Sequence, residues 1–296
     1  MPTLIEGQDK DAKDSYAIEK SDITTFASKY LGLNMLHPGG YKASSELAGL
    51  CGMSGNSLVL DIACGKGTSS RFFAKKFGCN VTGIDMDEDR LQSAKALSEK
   101  DRAIRSRVKF MCANAENLSF ADNTFDIVIV QAALYLLEHA EKAMEEAARV
   151  TKPGGRVGFL ELTWLKEPSN EIIEEAKGIF GRYLTQAKSS AWQDLIANSG
   201  LEITEVKLYN YEATTIKDEN AFTFLKVLWK MTTNSAIRNK ARKNSSFFIK
   251  HPGYMGYGLY VGEKRGRGRI VEPEEMMPCL IALTYLQPQA QTPPLK

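Results

Sequence analysis

An aspartate and two glycines in the first half of the chain have the spacing of a ligand-binding turn. Asp61 stands in the apolar run Leu58–Ile62, and Gly65 and Gly67 follow shortly after it. Because glycine has no Cβ, the backbone at these positions can turn tightly and lie against a ligand. The carboxylate of Asp61 can accept hydrogen bonds from an ammonium group. The segment therefore predicts a strand, a glycine turn and a helix start that together cradle a small molecule.

Polar residues also end the next two predicted strands. Asp85 comes twenty positions after Gly65, at the end of an apolar run. Doubly wound sheets place an acid there that binds the hydroxyls of a ribose. Asn114 follows the third run, and its amide could bind an adenine edge. Since the carboxyl ends of parallel strands meet at one edge, we expect these groups to face one crevice.

The elements that must position these residues alternate along the middle of the chain. From residue 57 to about 161, short apolar runs alternate with amphipathic stretches, which is typical of βαβ units. We predict an α/β fold, doubly wound, with a mostly parallel seven-stranded sheet and helices on both faces. The predicted strands are Leu58–Ile62, Asn80–Ile84, Val108–Cys112, Phe125–Val130, Arg156–Leu162, Glu202–Tyr211 and Tyr257–Glu263.

Helical segments are expected on both sides of this core. We divide the chain into an N-terminal helical lid at 1–55, a main domain at 56–264 with a helical cap insertion at about 213–255, and a tail at 265–296 that is flexible or docks on the body. The cap has apolar residues on more than one helical face, so something must cover it. It either packs over the sheet or forms a homodimer surface.

Composition bounds the class of protein. The 296 residues are 43% hydrophobic and 25% charged, as in ordinary globular proteins. No apolar run approaches the ~18 residues of a spanning helix, and the amino terminus lacks a signal-peptide core. We therefore expect a cytoplasmic protein without a membrane partner. A net charge of +2 gives no field that would attract nucleic acid, and scattered cysteines and histidines predict no metal site.

The motifs resemble those of the class I S-adenosylmethionine-dependent methyltransferases, in particular the ubiquinone and menaquinone C-methyltransferase branch (methyltransferase type 11). The resemblance covers roughly residues 57–161, and two positions depart from it: Ala63 and Asn114 stand where glycine and aspartate are common. It implies S-adenosylmethionine as the cofactor. The residues it places on the cofactor are Asp61, Ala63, Gly65 and Gly67 at the methionine part, Asp85 at the ribose, and Met86, Asn114, Ala115 and Glu116 at the adenine.

The same resemblance implies transfer of the methyl group to a small-molecule acceptor by in-line displacement. Positioning of the acceptor and exclusion of water are then the main demands. The wall nearest the methyl is expected to include Gln131, and the candidate catalytic groups are Tyr135, His139 and Glu161. The expected acceptor pocket, under the lid and cap, comprises His37, Tyr41, Tyr135, Trp164 and Trp229. Its aromatic residues favour an apolar or ring-containing acceptor.

Two other functions stay open from the sequence. Gly65 and Gly67 also begin the dinucleotide fingerprint of an NAD-dependent oxidoreductase, although Ser70 fills the place of its third glycine. A protein that binds S-adenosylmethionine for regulation or scaffolding, without turnover, would carry the same motifs.

Overall fold

The computed structural model describes residues 13–180, 187–211 and 221–266, and seven strands in this part of the chain form one sheet. They are β1 (Leu58–Ile62), β2 (Asn80–Asp85), β3 (Val108–Cys112), β4 (Phe125–Gln131), β5 (Thr151–Trp164), β6 (Glu202–Asn210) and β7 (Met255–Glu263). Their order is β3-β2-β1-β4-β5-β7-β6. Strands β1 to β5 are parallel, and β7 lies antiparallel between β5 and β6. The predicted doubly wound, mostly parallel sheet is confirmed.

Helices surround the sheet. They are α1 (13–20), α2 (Ile23–Thr25), which continues as a π-helix (Phe26–Leu31), α3 (Gly40–Leu50), α4 (Thr68–Phe77), α5 (Glu88–Glu99), α6 (Ala140–Val150), α7 (Asn170–Phe180), α8 (Ser189–Asn198), α9 (Ala221–Thr233) and α10 (Ser235–Lys250). Side chains cap several of them: Asp87 accepts from the Arg90 N–H at the start of α5, and Asn234 accepts from the Ile237 N–H at the start of α10. These caps fix where the helices begin.

Core residues lie on both faces of the sheet because successive side chains of a strand point in opposite directions. In β4, Val128 and Val130 pack with α6, α7 and α8. Ile127 and Ile129 pack on the other face with α3, α4 and α5. The carboxyl edge of the sheet is thereby held between two helical layers.

The N-terminal segment and the α9–α10 pair share a third apolar cluster of their own. It consists of Ile18, Phe26, Leu31, Leu33, Val227 and Ile237, all buried. The expected lid and the expected cap therefore pack on each other above the sheet. Residues 1–12 of the lid, 213–220 of the cap insertion and 267–296 of the tail lie outside the described residues. Among the described helices, none is long and apolar enough to cross a membrane.

Candidate cofactor and acceptor site

A cleft of about 220 Å³ opens at the carboxyl ends of β1 to β4. The turns that follow these strands form its floor, and residues 34–37 of the N-terminal segment close it from the other side. The predicted residues that line it are His37, Asp61, Ala63, Gly65, Asp85, Met86, Asn114, Ala115 and Gln131. The parallel topology thus brings together residues from four strand ends.

The turn after β1 has a left-handed backbone at Gly65 (φ 54°) and at Gly67 (φ 66°). A Cβ at Gly67 would collide with the ring of Phe110 beneath the turn, whereas a Cβ at Gly65 would meet no atom within 4 Å. Gly67 is therefore required by packing, and it does not line the cleft. Gly65 leaves the floor of the cleft open.

Asp85 joins the ends of two strands. Its Oδ2 accepts a hydrogen bond from the Gly65 N–H at 2.7 Å, and its Oδ1 accepts from the Asp87 N–H at 2.9 Å. An ionised carboxylate has about four acceptor sites. Asp85 can therefore hold the glycine turn and still accept from hydroxyls in the cleft.

Asp61 is the most enclosed acid of the cleft, with 2% of its surface exposed. Its Oδ2 accepts a hydrogen bond from the Ser70 hydroxyl at 2.5 Å. Burial raises the pKa of Asp61 to about 7; the bond from Ser70 opposes this rise, and the charge of Asp85 adds to it. A cation bound beside Asp61 would favour its ionised form.

Asn114 uses its side chain to build the turn after β3. Its Oδ1 accepts a hydrogen bond from the Glu116 N–H at 2.9 Å. This bond fixes the amide at the cleft wall. Glu116, which we expected beside the adenine, does not line the cleft.

Hydrogen bonds connect the N-terminal segment to the end of β4. Gln131 Nε2 donates to Ser44 Oγ at 3.0 Å, and Ser44 Oγ lies 3.0 Å from Nε2 of the buried His37. His37 Nδ1 lies 3.0 Å from the carbonyl oxygen of Pro38, which can only accept, so Nδ1 donates. The upper wall of the cleft is thereby fixed to its floor.

A second, apolar cavity of about 420 Å³ adjoins the cleft. The residues that line both cavities are Met35, Leu36 and Ala132. Most of its wall comes from residues 23–33 and the second half of α10, with Tyr135 at its base. The other lining residues are Pro38, Leu162, Phe180 of α7, Tyr211 and Met231 of α9. Ala132, directly after β4, has a left-handed backbone with φ 51°. For a residue other than glycine this conformation costs energy, and such strain is common at functional sites.

Few polar groups reach the apolar cavity. The Tyr135 hydroxyl lies 3.0 Å from Thr24 Oγ1, and burial raises the pKa of Tyr135 above its ordinary value. Tyr211 stacks on Phe248 with ring centroids 4.2 Å apart. Asn244 is 7% exposed, and its Oδ1 is buried without a hydrogen-bond partner among the described residues. A ligand in this cavity would meet a mainly apolar wall, of which Asn244 is one lining residue.

Glu161 lies behind the site. It is fully buried, and its Oε1 accepts hydrogen bonds from the N–H groups of Ala133 and Leu134 at 2.9 and 2.8 Å. Burial raises the pKa of Glu161 to about 8, although these bonds oppose the rise. Glu161 lines neither cavity, so it holds the turn after β4 and is not positioned to touch a substrate.

Comparisons with known proteins identify the family to which this chain belongs. A family model described as a methyltransferase domain matches residues 60–159. An uncharacterized protein of Haemophilus influenzae is 32% identical over 206 residues, which are 67% of this chain and 81% of that protein. The chain belongs to the class I methyltransferases.

Named relatives place the chain in the UbiE-like branch of this family. The ubiquinone/menaquinone biosynthesis C-methyltransferase UbiE of Rickettsia prowazekii is 38% identical over 117 residues, which are 38% of this chain and 47% of UbiE. The match thus spans about half the length of that relative. Phosphoethanolamine N-methyltransferase 2 of Haemonchus contortus, in a structure with S-adenosyl-L-methionine, has a TM-score of 0.63 at 20% identity, covering 83% of this chain and 58% of that one. That likeness concerns the fold.

Several of the predicted site residues lie away from both cavities. His139, expected as a base, is exposed at the start of α6. The ring of Tyr41 packs on Phe72, with centroids 4.9 Å apart. Trp164 is buried in the core cluster beside α7 and α8.

Trp229 does not roof the acceptor pocket, contrary to our expectation. Its side chain is 66% exposed on α9 and lines neither cavity. The side of α9 that packs inward is marked by Val227, which joins the apolar cluster shared with the N-terminal segment. The roof of the apolar cavity is formed by residues 23–38 and α10, and α9 contributes Met231 to the lining.

Sequence reasoning missed most of the apolar cavity wall. Phe26, Leu33 and Met35 belong to an apolar stretch that precedes the recognised motifs. The available signal was the density of apolar residues between 23 and 36, which suggests burial but not against what. Their partners on α10 are more than 200 positions away in sequence.

Proposed function

We propose that this protein transfers the methyl group of S-adenosylmethionine, bound in the cleft, to an apolar or ring-containing small molecule held in the adjoining cavity. The observation that carries the proposal is the shared boundary at Met35, Leu36 and Ala132. A methyl donor and an acceptor must lie in line and in contact, away from water. Two adjoining cavities, one with the carboxylates of Asp61 and Asp85 in its wall and one mainly apolar, meet this demand.

The cleft fits S-adenosylmethionine by its own chemistry. Thr68 and Gln131 line the cleft, and their Oγ1 and Oε1 atoms are buried with no hydrogen-bond partner in the part of the chain that the structure describes, so ligand groups could satisfy them. Asp61 would accept from the ammonium group, and Asp85 from the ribose hydroxyls. When bound, S-adenosylmethionine supplies a methyl group already activated by its sulfonium.

The polar corner of the apolar cavity supports a narrower choice of acceptor. An unsatisfied buried acceptor costs roughly 1–3 kcal/mol, which a ligand donor could recover. Asn244 Oδ1 is such an atom. We therefore propose an acceptor whose ring carries a hydroxyl or N–H group that donates to Asn244.

Protein residues supply positioning in this proposal, without a residue assigned as a base. Glu161 fixes the turn that carries Ala132, through its bonds to the next two N–H groups. The contact of Tyr135 with Thr24 joins the base of the apolar cavity to the N-terminal segment above it. Both contacts keep the boundary between the two cavities in one shape.

Label transfer tests the proposal. The protein is incubated with S-adenosylmethionine carrying a labelled methyl group and pooled metabolite extracts, and the organic and aqueous phases are then counted and analysed by mass. Label in a small, organic-soluble product supports it. Tight binding of S-adenosylmethionine with no product from any extract would favour a regulatory binding protein, and binding of NADH in its place would favour an oxidoreductase.

A further inference from the structure

The outer surface of α9 carries a row of exposed apolar side chains. Phe224, Leu225, Leu228 and Trp229 are 48%, 60%, 50% and 66% exposed. Phe224 and Leu228 are four residues apart, as are Leu225 and Trp229, which places the four side chains on one side of the helix. Ile249 on α10 is 78% exposed and also lines the apolar cavity. We call the four α9 residues the apolar row.

The same two helices are strongly basic. Residues 221–250 contain seven lysines and arginines and no aspartate or glutamate: Lys226, Lys230, Arg238, Lys240, Arg242, Lys243 and Lys250. Since the whole chain has a net charge of +2, the rest of the chain carries a net charge of −5. Positive charge is therefore concentrated on the helices that expose the apolar row.

Three of these basic side chains have hydrogen-bond or ion-pair partners within the protein. Lys240 is buried and donates to the Glu19 carbonyl at 3.0 Å, Lys230 donates to the Tyr30 carbonyl at 2.7 Å, and Lys250 pairs with Glu175 at 3.2 Å. Carbonyl partners leave the charge of a lysine in place. Arg242 and Lys243 are exposed on α10.

We infer that the α9–α10 cap docks on the surface of an anionic lipid bilayer, with the apolar row inserted at the headgroup boundary. Helices that combine Trp, Phe and Leu on one side with lysine and arginine elsewhere bind membrane interfaces in this way. Each basic residue near an anionic surface adds attraction. The attachment is peripheral, without a spanning helix, and does not depend on methyl transfer.

The position of the apolar cavity gives this surface a purpose. Ile249 lines the cavity and is largely exposed, so the cavity reaches the protein surface on the cap. An apolar acceptor dissolved in a bilayer could pass into the cavity near the surface that binds the lipid. Its transfer would then avoid exposure of apolar area to water.

Tryptophan fluorescence offers a direct test because the three tryptophans differ in environment. Trp164 and Trp192 are buried and Trp229 is exposed. Full-length protein is titrated with phosphatidylglycerol vesicles and, separately, with phosphatidylcholine vesicles. We expect a shift of the emission to shorter wavelength with phosphatidylglycerol, quenching by brominated lipid, a weaker response with phosphatidylcholine, and a loss of the response at high salt.

A pair of double variants separates this surface from general stickiness. Leu225→Ser with Leu228→Ser keeps Trp229 as the reporter and is expected to lower partitioning into phosphatidylglycerol vesicles at least about tenfold. Leu97→Ser with Leu208→Ser changes two leucines of similar exposure on α5 and β6 and should partition like the wild type. Melting temperatures of both variants confirm that they are folded.

Three results would overturn the inference. One is the absence of any emission shift with phosphatidylglycerol. Another is equal partitioning of the two double variants. The third is a wild-type dimer in light scattering that becomes monomeric in the Leu225→Ser, Leu228→Ser variant, which would make the apolar row an interface between two copies of the chain.

Discussion

Asp85 links the local structure of the cleft to its proposed ligand. Replacing it by alanine removes an ionised acceptor for ribose hydroxyls and also the acceptor of the Gly65 N–H. Hydrogen bonds to charged groups contribute about 1.5–3 kcal/mol. Asp85→Ala is therefore expected to weaken S-adenosylmethionine binding by about tenfold or more in calorimetric titration. Asp89→Ala, an exposed aspartate outside the cleft, is the matched control, and equal affinities of the two variants would refute the ribose assignment.

Asp61 makes cofactor binding depend on pH. Its pKa of about 7 means that the carboxyl is largely protonated at pH 6, and an ammonium group would bind the ionised form. Affinity for S-adenosylmethionine should therefore rise about tenfold from pH 6 toward its plateau. Asp61→Asn should show a flat profile between pH 6 and 7.5.

Asp61 should lower the stability of the unliganded protein as the pH rises, although it raises the affinity for the cofactor. Because the folded-state pKa is raised above the ordinary value of 3.8, the folded state holds the proton more tightly than the unfolded state. The contribution of this group to stability is present below pH 4 and is lost as the pH rises toward 7. The melting temperature of Asp61→Asn relative to wild type should therefore increase over that window, and a falling difference would contradict the pKa shift.

At the scale of elements, the glycine turn after β1 offers two substitutions with the same backbone cost and different surroundings. Both Gly65 and Gly67 have a left-handed φ, so alanine costs about 1–2 kcal/mol at either position. Gly67→Ala adds a collision with Phe110 and a contact of 3.1 Å with the Cβ of Ala94. The melting temperature of Gly67→Ala should therefore fall clearly further below that of the wild type than the melting temperature of Gly65→Ala does.

Gly65→Ala should instead affect the ligand. Its Cβ would enter the open space of the cleft, where the proposed cofactor lies. We expect Gly65→Ala to lower the melting temperature by only a small amount and to weaken S-adenosylmethionine binding more than Gly67→Ala does. The assignment of the turn fails if Gly65→Ala binds S-adenosylmethionine as the wild type does.

The α10 helix contributes the proposed polar contact to the acceptor. We expect the wild type to bind 2-naphthol about tenfold more tightly than naphthalene, because only the hydroxyl can donate to Asn244. Asn244→Leu should abolish this preference without loss of stability. Asn239→Leu, on the exposed side of the same helix, should retain it. A preference that survives in Asn244→Leu, measured by calorimetry, would remove Asn244 from the acceptor site.

Elements built from local patterns could be predicted from the sequence. The bounds of β1 and β3 match the predicted runs, since each is a short apolar segment between polar turns. Strand β5 is longer than predicted, from Thr151 to Trp164. At its start, Thr151 already pairs with Phe125 of β4, and the pairing resumes at Arg156 after the irregular residues 152–155. At its end, Trp164 still pairs with Met255 of β7. The residues of the cofactor cleft could be predicted because parallel topology places the ends of the strands together.

The cap could not be predicted in the same way. Helix α9 has apolar residues on more than one face, and its sequence does not specify which face packs inward. The structure buries Val227 and exposes Trp229, so an aromatic residue in an apolar helix misled the acceptor assignment. The partners that settle the orientation, such as Phe26 and Leu31, lie about 200 positions away.

At the scale of the whole molecule, two adjoining cavities are proposed to bind the cofactor and the acceptor separately. The polar cleft is built mainly by the sheet edge, and the apolar cavity mainly by the N-terminal segment together with α10. A substitution that fills the second cavity should leave the first intact. Ala241 lines only the apolar cavity, and Ala197 is exposed on α8, so tryptophan at each position gives a matched pair.

The most direct measurement compares these two variants in methyl transfer to the organic-soluble acceptor fraction, alongside calorimetric titration of S-adenosylmethionine. Ala241→Trp is predicted to lower the rate of label transfer by about tenfold or more while the cofactor affinity stays within about twofold of wild type. Ala197→Trp should match the wild type in both measurements. Undiminished transfer by Ala241→Trp, with both variants folded, would contradict the claim that the apolar cavity holds the methyl acceptor.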